Sequence, residues 1–237
     1  MSGKIVPNAL KLLAKSFGKV KNPPLPRDRA FEIFQSPKRL ARPLALQNKE
    51  TEQVQLGMAF HGLPLGHADL PAANLFATIL GGTMSSRLFI QVRERRGLCY
   101  SIHASHQALE DTGIFAVMAG LDKKRVREAV KTIFEELKKA KVSGVTPDEL
   151  RRAKDHIRGR LTLAFEDSSF QADWYGRQWM FKKELETPEE RMRRLDRVTV
   201  KDVKRVARAL IRPEIMASAV IGPFSSKREL AKMFDWK

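Results

Sequence analysis

The segment Gly81–Ser101, which reads GGTMSSRLFIQVRERRGLCYS, constrains the fold more than any other part of the chain. Between its glycine pair and its final strand-like residues, Leu88, Phe89 and Val92 recur at the spacing of one helix face, with arginines around the rest. Gly97 is suited to end this helix, since glycine takes a left-handed conformation without a Cβ penalty. The pattern therefore predicts a short amphipathic helix that leads directly into a strand, LCYSIHASH.

This junction fixes two side chains relative to one another. Arg93 lies on the last turn of the predicted helix, and Tyr100 lies early in the strand. A guanidinium and a phenol held together can bind carbonyl or carboxylate oxygens. The residue types also allow a second interpretation, in which Arg93 is a solvated charge and Tyr100 is buried in the core.

The net charge of +17 in 237 residues is the strongest compositional signal. Such a charge favours nucleic-acid or anionic-membrane binding. Against this, the basic residues are spread over several predicted helices and mixed with acidic ones, without the aromatic interleaving typical of single-strand binders. A basic nucleic-acid-binding domain is therefore the third of three functional hypotheses.

No apolar run approaches the roughly 18 residues that a membrane helix needs. The basic amino terminus lacks the continuous apolar block of a secretory signal, so we predict a cytoplasmic protein without a membrane span. The lone cysteine, Cys99, excludes an internal disulfide and is expected to be a small core residue.

Hydrophobic periodicity predicts a mixture of helices and strands. The main elements are a helix over 4–19, a strand at Gln53–Phe60, a buried helix at Ala68–Leu80, a hairpin formed by LCYSIHASHQAL and IFAVMAGL, and a closing strand at Met216–Gly222. Because a hairpin is present and strict strand–helix alternation is not, we expect an α+β fold: a mainly antiparallel sheet with helices packed on one face.

Helix starts are marked by polar residues. Thr146 and Thr187 each open a capping box with proline at the first helical position, and Thr199 opens a further helix. Asp122 is the predicted cap of the helix that follows the hairpin.

Recognisable catalytic motifs are missing. His103 and His106 lie three apart in a predicted strand, so their side chains should face opposite sides and cannot share a metal. The sequence has no H-E-x-x-H, H-x-x-E-H, Walker or G-x-S-x-G motif.

The run SSRLFIQVRERRGLCYSI resembles the signature of the carboxy-terminal half of the pitrilysin-type zinc peptidases, which include insulysin and the mitochondrial processing peptidase. Arg93 and Tyr100, with Gly97 between them, match the arginine–tyrosine pair of that family. The runs TEQVQLGMAFHGLP, VTPDELRRAKDHIRGRLTLAFEDSS and VTVKDVKRVARAL…AVIGP extend the resemblance over roughly 180 residues, beyond what one short motif could support.

This resemblance implies a metallopeptidase-half, processing-peptidase-like architecture. In the family, two similar halves close like a clamshell; the first binds zinc through H-x-x-E-H and a distant Glu, and the second holds substrate carbonyls with the Arg–Tyr pair. In this chain Asn74, Ala77 and Thr78 stand where the two zinc ligands and the base would be. These side chains cannot assemble a zinc site, so we expect no metal in this chain and zinc in a companion half.

The resemblance also implies a division of the chain. Residues 1–27 would be the last helix and linker of a missing first half, and residues 28–237 a carboxy-terminal peptidase-like domain. The expected function is the substrate-binding half of a zinc-dependent metalloendopeptidase, inactive by itself. Its partners would be a peptide substrate and a catalytic half carrying H-x-x-E-H, in the same longer chain or on a separate subunit. The alternative is a non-catalytic partner or scaffold subunit of the same fold, with a second copy of the chain as an additional candidate partner.

Overall fold

The computed structural model describes residues 3–20 and 44–234, which fall into two compact units. One unit comprises the described residues of 1–32 and 156–192, and the other those of 33–155 and 193–237. The second, larger unit contains the β-sheet and the whole of the Gly81–Ser101 segment.

The sheet is mainly antiparallel, as the sequence predicts. Its strands in the described residues are β1 (Leu44–Asn48), β2 (Gln53–His61), β3 (Cys99–Ala108), β4 (Gly113–Asp122) and β5 (Ala217–Gly222). They lie in the order β1-β5-β2-β4-β3, and only the β1–β5 pair is parallel. The predicted hairpin is β3–β4, which places β3 at one edge of the sheet.

The helices of the described residues account for most of the remaining chain. They are α1 (Ala9–Phe17), α2 (Leu70–Ala77), α3 (Val126–Ser143), α4 (Pro147–Ala164), α5 (Ser168–Lys182), α6 (Pro188–Asp196), α7 (Val200–Leu210) and α8 (Lys227–Ala231). Two π-helices, Thr78–Gly82 and Phe89–Glu94, and two 3₁₀ turns, Pro213–Ile215 and Lys232–Phe234, complete the set. The sequence did not predict α8.

The core lies between the sheet and α2, α3 and α7. Alternate residues of β2, from Val54 to Phe60, are buried, as the two-residue period of a strand requires. Phe115 of β4 links the layers, because its ring centroid lies 6.0 Å from that of Phe60 and 5.4 Å from that of Phe76 on α2. On the opposite face Ile114 and Met118 are 41% and 45% exposed, so α2, α3 and α7 cover one face of the sheet, as predicted.

The helix starts predicted at Thr146, Thr187 and Thr199 are confirmed, whereas the helix start predicted at Asp122 is not. The Thr146 amide donates to Glu149 at 2.7 Å, and the Glu149 amide donates back to the Thr146 hydroxyl at 3.2 Å. Equivalent exchanges begin α6 and α7. The prediction for Asp122 is wrong: α3 begins at Val126, and the Asp122 carboxylate instead accepts from the Lys124 amide at 3.0 Å within the preceding turn.

Gly81 brings the end of the first π-helix against β3. A Cβ placed on this glycine would lie 2.2 Å from the Ala104 amide nitrogen, so only glycine allows the two backbones to approach this closely. This close contact fixes Gly81, the first residue of the Gly81–Ser101 segment, against β3, the strand in which the segment ends.

The smaller unit is held by aromatic side chains. The Phe165 ring centroid lies 5.4 Å from that of Phe170 and 5.3 Å from that of Trp174, and both contacts are edge-on. In contrast, no residue of α1 is buried, and its apolar side chains Leu10 and Phe17 are 70% and 66% exposed. Across residues 3–20 and 44–234, every helix is too short or too polar to span a bilayer.

Candidate functional site

The arginine-rich helix of the central segment is anchored at both ends of its buried face. Leu88 and Val92 are fully buried, as the helical pattern predicts. Arg87 donates from Nε and Nη2 to the Glu149 carboxylate at 2.6 and 2.7 Å, and from Nη2 to the Gly144 carbonyl at 2.9 Å. Burial opposes ionisation of Glu149, but the hydrogen bonds from Arg87 and Thr146 hold its pKa below the ordinary value. The helix is therefore fixed to the start of α4.

Gly97 ends this helix, as predicted. Its φ of +57° lies in the left-handed region, and its amide donates to the Arg93 carbonyl at 2.9 Å. The Leu98 amide donates to the Val92 carbonyl at 2.8 Å. The chain therefore turns sharply from the π-helix into β3.

Tyr100 occupies a β-bulge at the start of β3. Cys99 pairs with Leu121 of β4, whereas Ser101 pairs with the next residue, Gly120, so Tyr100 is the extra residue between them. Its side chain is 59% exposed. The alternative interpretation of Tyr100 as a core residue is therefore wrong.

Arg93 is exposed on the last turn of the π-helix. Its guanidinium carbon lies 4.8 Å from the centre of the Phe89 ring, a cation–π contact that orients the side chain. No ion pair to Arg93 occurs within the part of the chain that the structure describes. Among the described residues, its polar hydrogens are thus not engaged by a carboxylate.

Cys99 directly precedes Tyr100 in the chain and is influenced by the charge of Arg93. Burial raises the pKa of the Cys99 thiol to about 11, while the nearby Arg93 charge acts in the opposite direction. The thiol is buried, as expected from the sequence, and is not poised as a nucleophile. The Arg93 charge thus acts on the first residue of β3, which precedes Tyr100 in the chain.

A set of backbone contacts that the sequence does not reveal holds the turn between Arg93 and Tyr100. Arg125 donates from Nη2 to the Arg96 carbonyl at 3.0 Å and also to the Gly97 carbonyl. The Asp122 amide donates to the Leu98 carbonyl at 3.0 Å. No local motif marks Arg125 for this role, because its partners are carbonyl oxygens 28 and 29 positions earlier in the chain.

The arrangement presents two different donors at the start of an edge strand. A guanidinium donates through several N–H groups in one plane, and a phenol donates through one O–H. Both side chains are exposed, and the backbone that carries them is fixed by glycine, by the bulge and by Arg125. Such a pair can bind carbonyl oxygens or an oxyanion.

Two of the five histidines accept hydrogen bonds from backbone amides. His106 Nε2 accepts from the Leu63 amide at 2.9 Å, and His67 Nδ1 accepts from the Asp69 amide at 3.0 Å. His103 is exposed on the other face of β3 from His106, as the strand spacing predicts.

The residues that stand where a zinc helix would be do not fit a metal ion. Ala77 is buried and has no donor atom, and the Thr78 hydroxyl donates to the Asn74 carbonyl at 2.9 Å. Within residues 3–20 and 44–234, no group of three His, Cys, Asp or Glu side chains is placed to hold a metal.

Known structures share this fold. The chain superposes with a TM-score of 0.73 on the peptidase M16 inactive domain from Pseudomonas fluorescens, at 22% identity, covering 81% of this chain and 46% of the other. A protease from Helicobacter pylori gives a TM-score of 0.75 at 20% identity, covering 94% of this chain and 54% of the other.

Sequence comparison gives closer relatives. The chain is 34% identical over 177 residues to the uncharacterized zinc protease YmxG of Bacillus subtilis, covering 75% of this chain and 43% of the relative. It is 32% identical over 210 residues to an uncharacterized zinc protease of Mycobacterium bovis, covering 89% of this chain and 47% of the relative. The chain thus spans less than half the length of these curated relatives. The model of the peptidase M16 inactive domain matches residues 2–157, a majority of the chain, and this chain therefore belongs to the peptidase M16 inactive-domain family.

Proposed function

We propose that this chain is the substrate-binding half of a zinc-dependent metalloendopeptidase, in which Arg93 and Tyr100 bind the peptide backbone. The observation that carries the proposal is the bulge at Tyr100, which turns outward a side chain that regular strand alternation would bury. The exposed Arg93, near the first residue of the same strand, adds a second donor.

In this proposal the two donors act on carbonyl oxygens. Hydrogen bonds from the Arg93 guanidinium and the Tyr100 hydroxyl position the peptide and stabilise negative charge that develops on its carbonyl oxygen. The metal and the general base come from a companion half with H-x-x-E-H, either in the same longer chain or on a separate subunit. The zinc proteases among the relatives, about twice as long as the matched region, support this pairing.

The test is the hydrolysis of a fluorogenic peptide by this chain combined with its catalytic half. Tyr100→Phe removes one hydroxyl and should lower kcat by about 10²–10³, the usual effect of losing one oxyanion donor. Tyr175→Phe, at the other tyrosine of the chain, is the matched control. Unchanged turnover in Tyr100→Phe would remove this residue from the mechanism.

We also propose that α1 belongs structurally to the companion half; the linker predicted to follow it, up to residue 27, lies outside the described residues. A helix in which no residue is buried, yet which carries an apolar stripe, gains stability only when another surface covers that stripe. Leu10, Leu13 and Phe17 form the stripe, and each is at least 40% exposed.

A scaffold subunit remains the second candidate function. It is favoured by the position of β3 at the edge of the sheet, where a peptide or another subunit could add a strand without any chemistry. A coding sequence for H-x-x-E-H next to this one would favour the peptidase half, and its absence would favour the scaffold.

A further inference from the structure

Two basic segments meet at the start of β3, next to Tyr100. The first is the end of the π-helix, residues 93–97, and the second is the turn and first residues of α3, residues 122–128. Arg125 joins them through its hydrogen bonds to the Arg96 and Gly97 carbonyls, and the Asp122 amide donates to the Leu98 carbonyl. The charges of both segments therefore act on the same region of the surface.

These segments carry seven basic and three acidic residues. We call the basic residues the basic patch: Arg93, Arg95, Arg96, Lys123, Lys124, Arg125 and Arg127. Of the acidic residues, Asp122 is already occupied, since it accepts from the Lys124 amide and pairs with Arg125 Nε at 3.3 Å. The hydrogen bond from the Lys124 amide and the contacts with Arg125 hold the pKa of Asp122 below its ordinary value. The Asp122 carboxylate therefore stays ionised and cancels one positive charge of the basic patch.

Part of the remaining charge is also balanced, since Lys123 pairs with Glu50 at 3.5 Å and the two segments contain Glu94 and Glu128, but the basic residues still outnumber these carboxylates. Arg93, Arg95 and Lys124 are exposed, and none has an ion pair among the described residues. Elsewhere in the same unit arginines are paired, as Arg87 is with Glu149 and Arg205 with Asp69. The region beside Tyr100 thus has a local positive excess.

We infer that the peptide bound at Arg93 and Tyr100 carries acidic side chains in the part that crosses the basic patch. The inference rests on the proposed function and adds the substrate class to it. The charges of the patch are exposed and solvated, so each contributes modestly to binding and depends strongly on ionic strength. Several of them together favour an acidic segment over a neutral one and repel a basic one.

The experiment uses three fluorescent 12-residue peptides that differ only at three flanking positions, occupied by Glu, Gln or Lys. Binding to the full chain is measured by fluorescence anisotropy at 0.1 M and 1 M salt. We expect the Glu peptide to bind about tenfold more tightly than the Gln peptide at 0.1 M, and the Lys peptide to bind most weakly. The difference should vanish at 1 M, where the screening length falls from about 10 Å to about 3 Å.

Charge-matched variants separate the basic patch from the overall charge of the protein. The double substitution Arg95→Gln/Lys124→Gln should reduce the preference for Glu to about threefold or less. Lys201→Gln/Arg208→Gln removes the same charge from exposed positions on α7 and should leave the preference unchanged. Equal binding of the three peptides, or equal loss in both double variants, would overturn the inference.

Two further measurements distinguish the competing explanations. A single-stranded 12-mer oligonucleotide that displaces the Glu peptide and binds more tightly, with the same dependence on Arg95 and Lys124, would identify the patch as a nucleic-acid site and overturn the inference. The variant Tyr100→Phe leaves every charge of the basic patch in place and should weaken all three peptides alike. If it weakens none while the preference for Glu persists, the proposed role of Tyr100 fails and the acidic preference stands.

Discussion

At the scale of single residues, His106 ties the end of β3 to the loop that follows β2. Its Nε2 accepts from the Leu63 amide at 2.9 Å, so the imidazole must be neutral at that nitrogen. Burial of the ring lowers the pKa of His106 to about 4. The residue thereby makes the stability of the fold dependent on pH.

We predict that stability falls as the pH drops from about 6.5 towards 4. Between the ordinary pKa of histidine, near 6.5, and the lowered value in the fold, the unfolded chain binds more protons than the folded one, so acid favours unfolding. His106→Gln keeps an acceptor for the Leu63 amide but does not titrate. Urea midpoints at pH 7, 6, 5 and 4.5 should fall more steeply for the wild type than for this variant; parallel curves would contradict the prediction.

Ser218 is a second residue whose environment affects the stability of the fold. Its side chain lies on the buried face of β5, and its hydroxyl oxygen has no hydrogen-bond partner among the described residues. Burying a hydroxyl without a hydrogen-bond partner destabilises the folded state, and alanine at the same position avoids this cost.

Ser218→Ala should therefore raise the free energy of unfolding by up to about 1 kcal/mol, measured by chemical denaturation. Ser86→Ala is the contrasting variant, because the buried Ser86 hydroxyl donates to the Thr83 carbonyl at 2.6 Å and its loss should destabilise the fold. Destabilisation by both substitutions would show that the Ser218 hydroxyl is satisfied in solution.

At the scale of elements, the turn from the π-helix into β3 depends on Gly97. The left-handed φ is the only obstacle to a larger residue there, since an added Cβ would meet nothing closer than the Arg125 guanidinium at 3.6 Å. The turn also sets the position of Arg93 relative to Tyr100, so the proposed peptide binding depends on the stability of the turn.

We predict that Gly97→Ala lowers the free energy of unfolding by ~1–2 kcal/mol, the cost of a left-handed residue with a Cβ. Gly97→Asn should cost less, because asparagine tolerates this conformation. Gly159→Ala is the matched control: Gly159 lies within α4 with nothing within 4 Å of an added Cβ, so alanine should stabilise by about 0.5–1 kcal/mol. Equal effects at both glycines, by thermal or chemical denaturation, would contradict the prediction.

Most helices and strands can be predicted from local sequence patterns, whereas the exposure of Tyr100 at the candidate site depends on the pairing of β3 with β4. Periodicity and capping residues are readable in sequence, which is why β2, the β3–β4 hairpin and the helix starts at Thr146 and Thr199 are predicted. Regular alternation would instead place Tyr100 on the same face as Leu98 and Ile102, both buried. The bulge that turns Tyr100 to the other face is seen only in the pairing of β3 with β4. No single stretch of sequence reveals this register shift.

At the scale of the whole molecule, α1 is the element with least support from the described chain. Its stripe of apolar side chains lies open, and we propose that the companion half covers it. Substitutions there should therefore affect assembly without affecting the folding of this chain.

We predict that Leu10→Glu/Phe17→Glu weakens association with the catalytic half at least tenfold, measured by analytical ultracentrifugation or co-purification. The thermal midpoint of the chain alone should change little, because both side chains are exposed. Lys11→Gln/Lys15→Gln lowers the net charge of α1 by the same two units and keeps the stripe, so it should leave association nearly unchanged. Equal weakening by both pairs would mean that charge, not apolar contact, drives assembly.

The extra residue in β3 has a consequence for how the family can change over time. Because Cys99 and Ser101 already pair with neighbouring positions of β4, deletion of Tyr100 would join two correctly registered parts of one strand and leave every later pairing in place. The phenol is thus an insertion that the sheet does not require. If the proposed function is right, a descendant that lost the residue would keep the architecture and lose only one donor to the bound peptide, which is a short evolutionary route to an inert subunit.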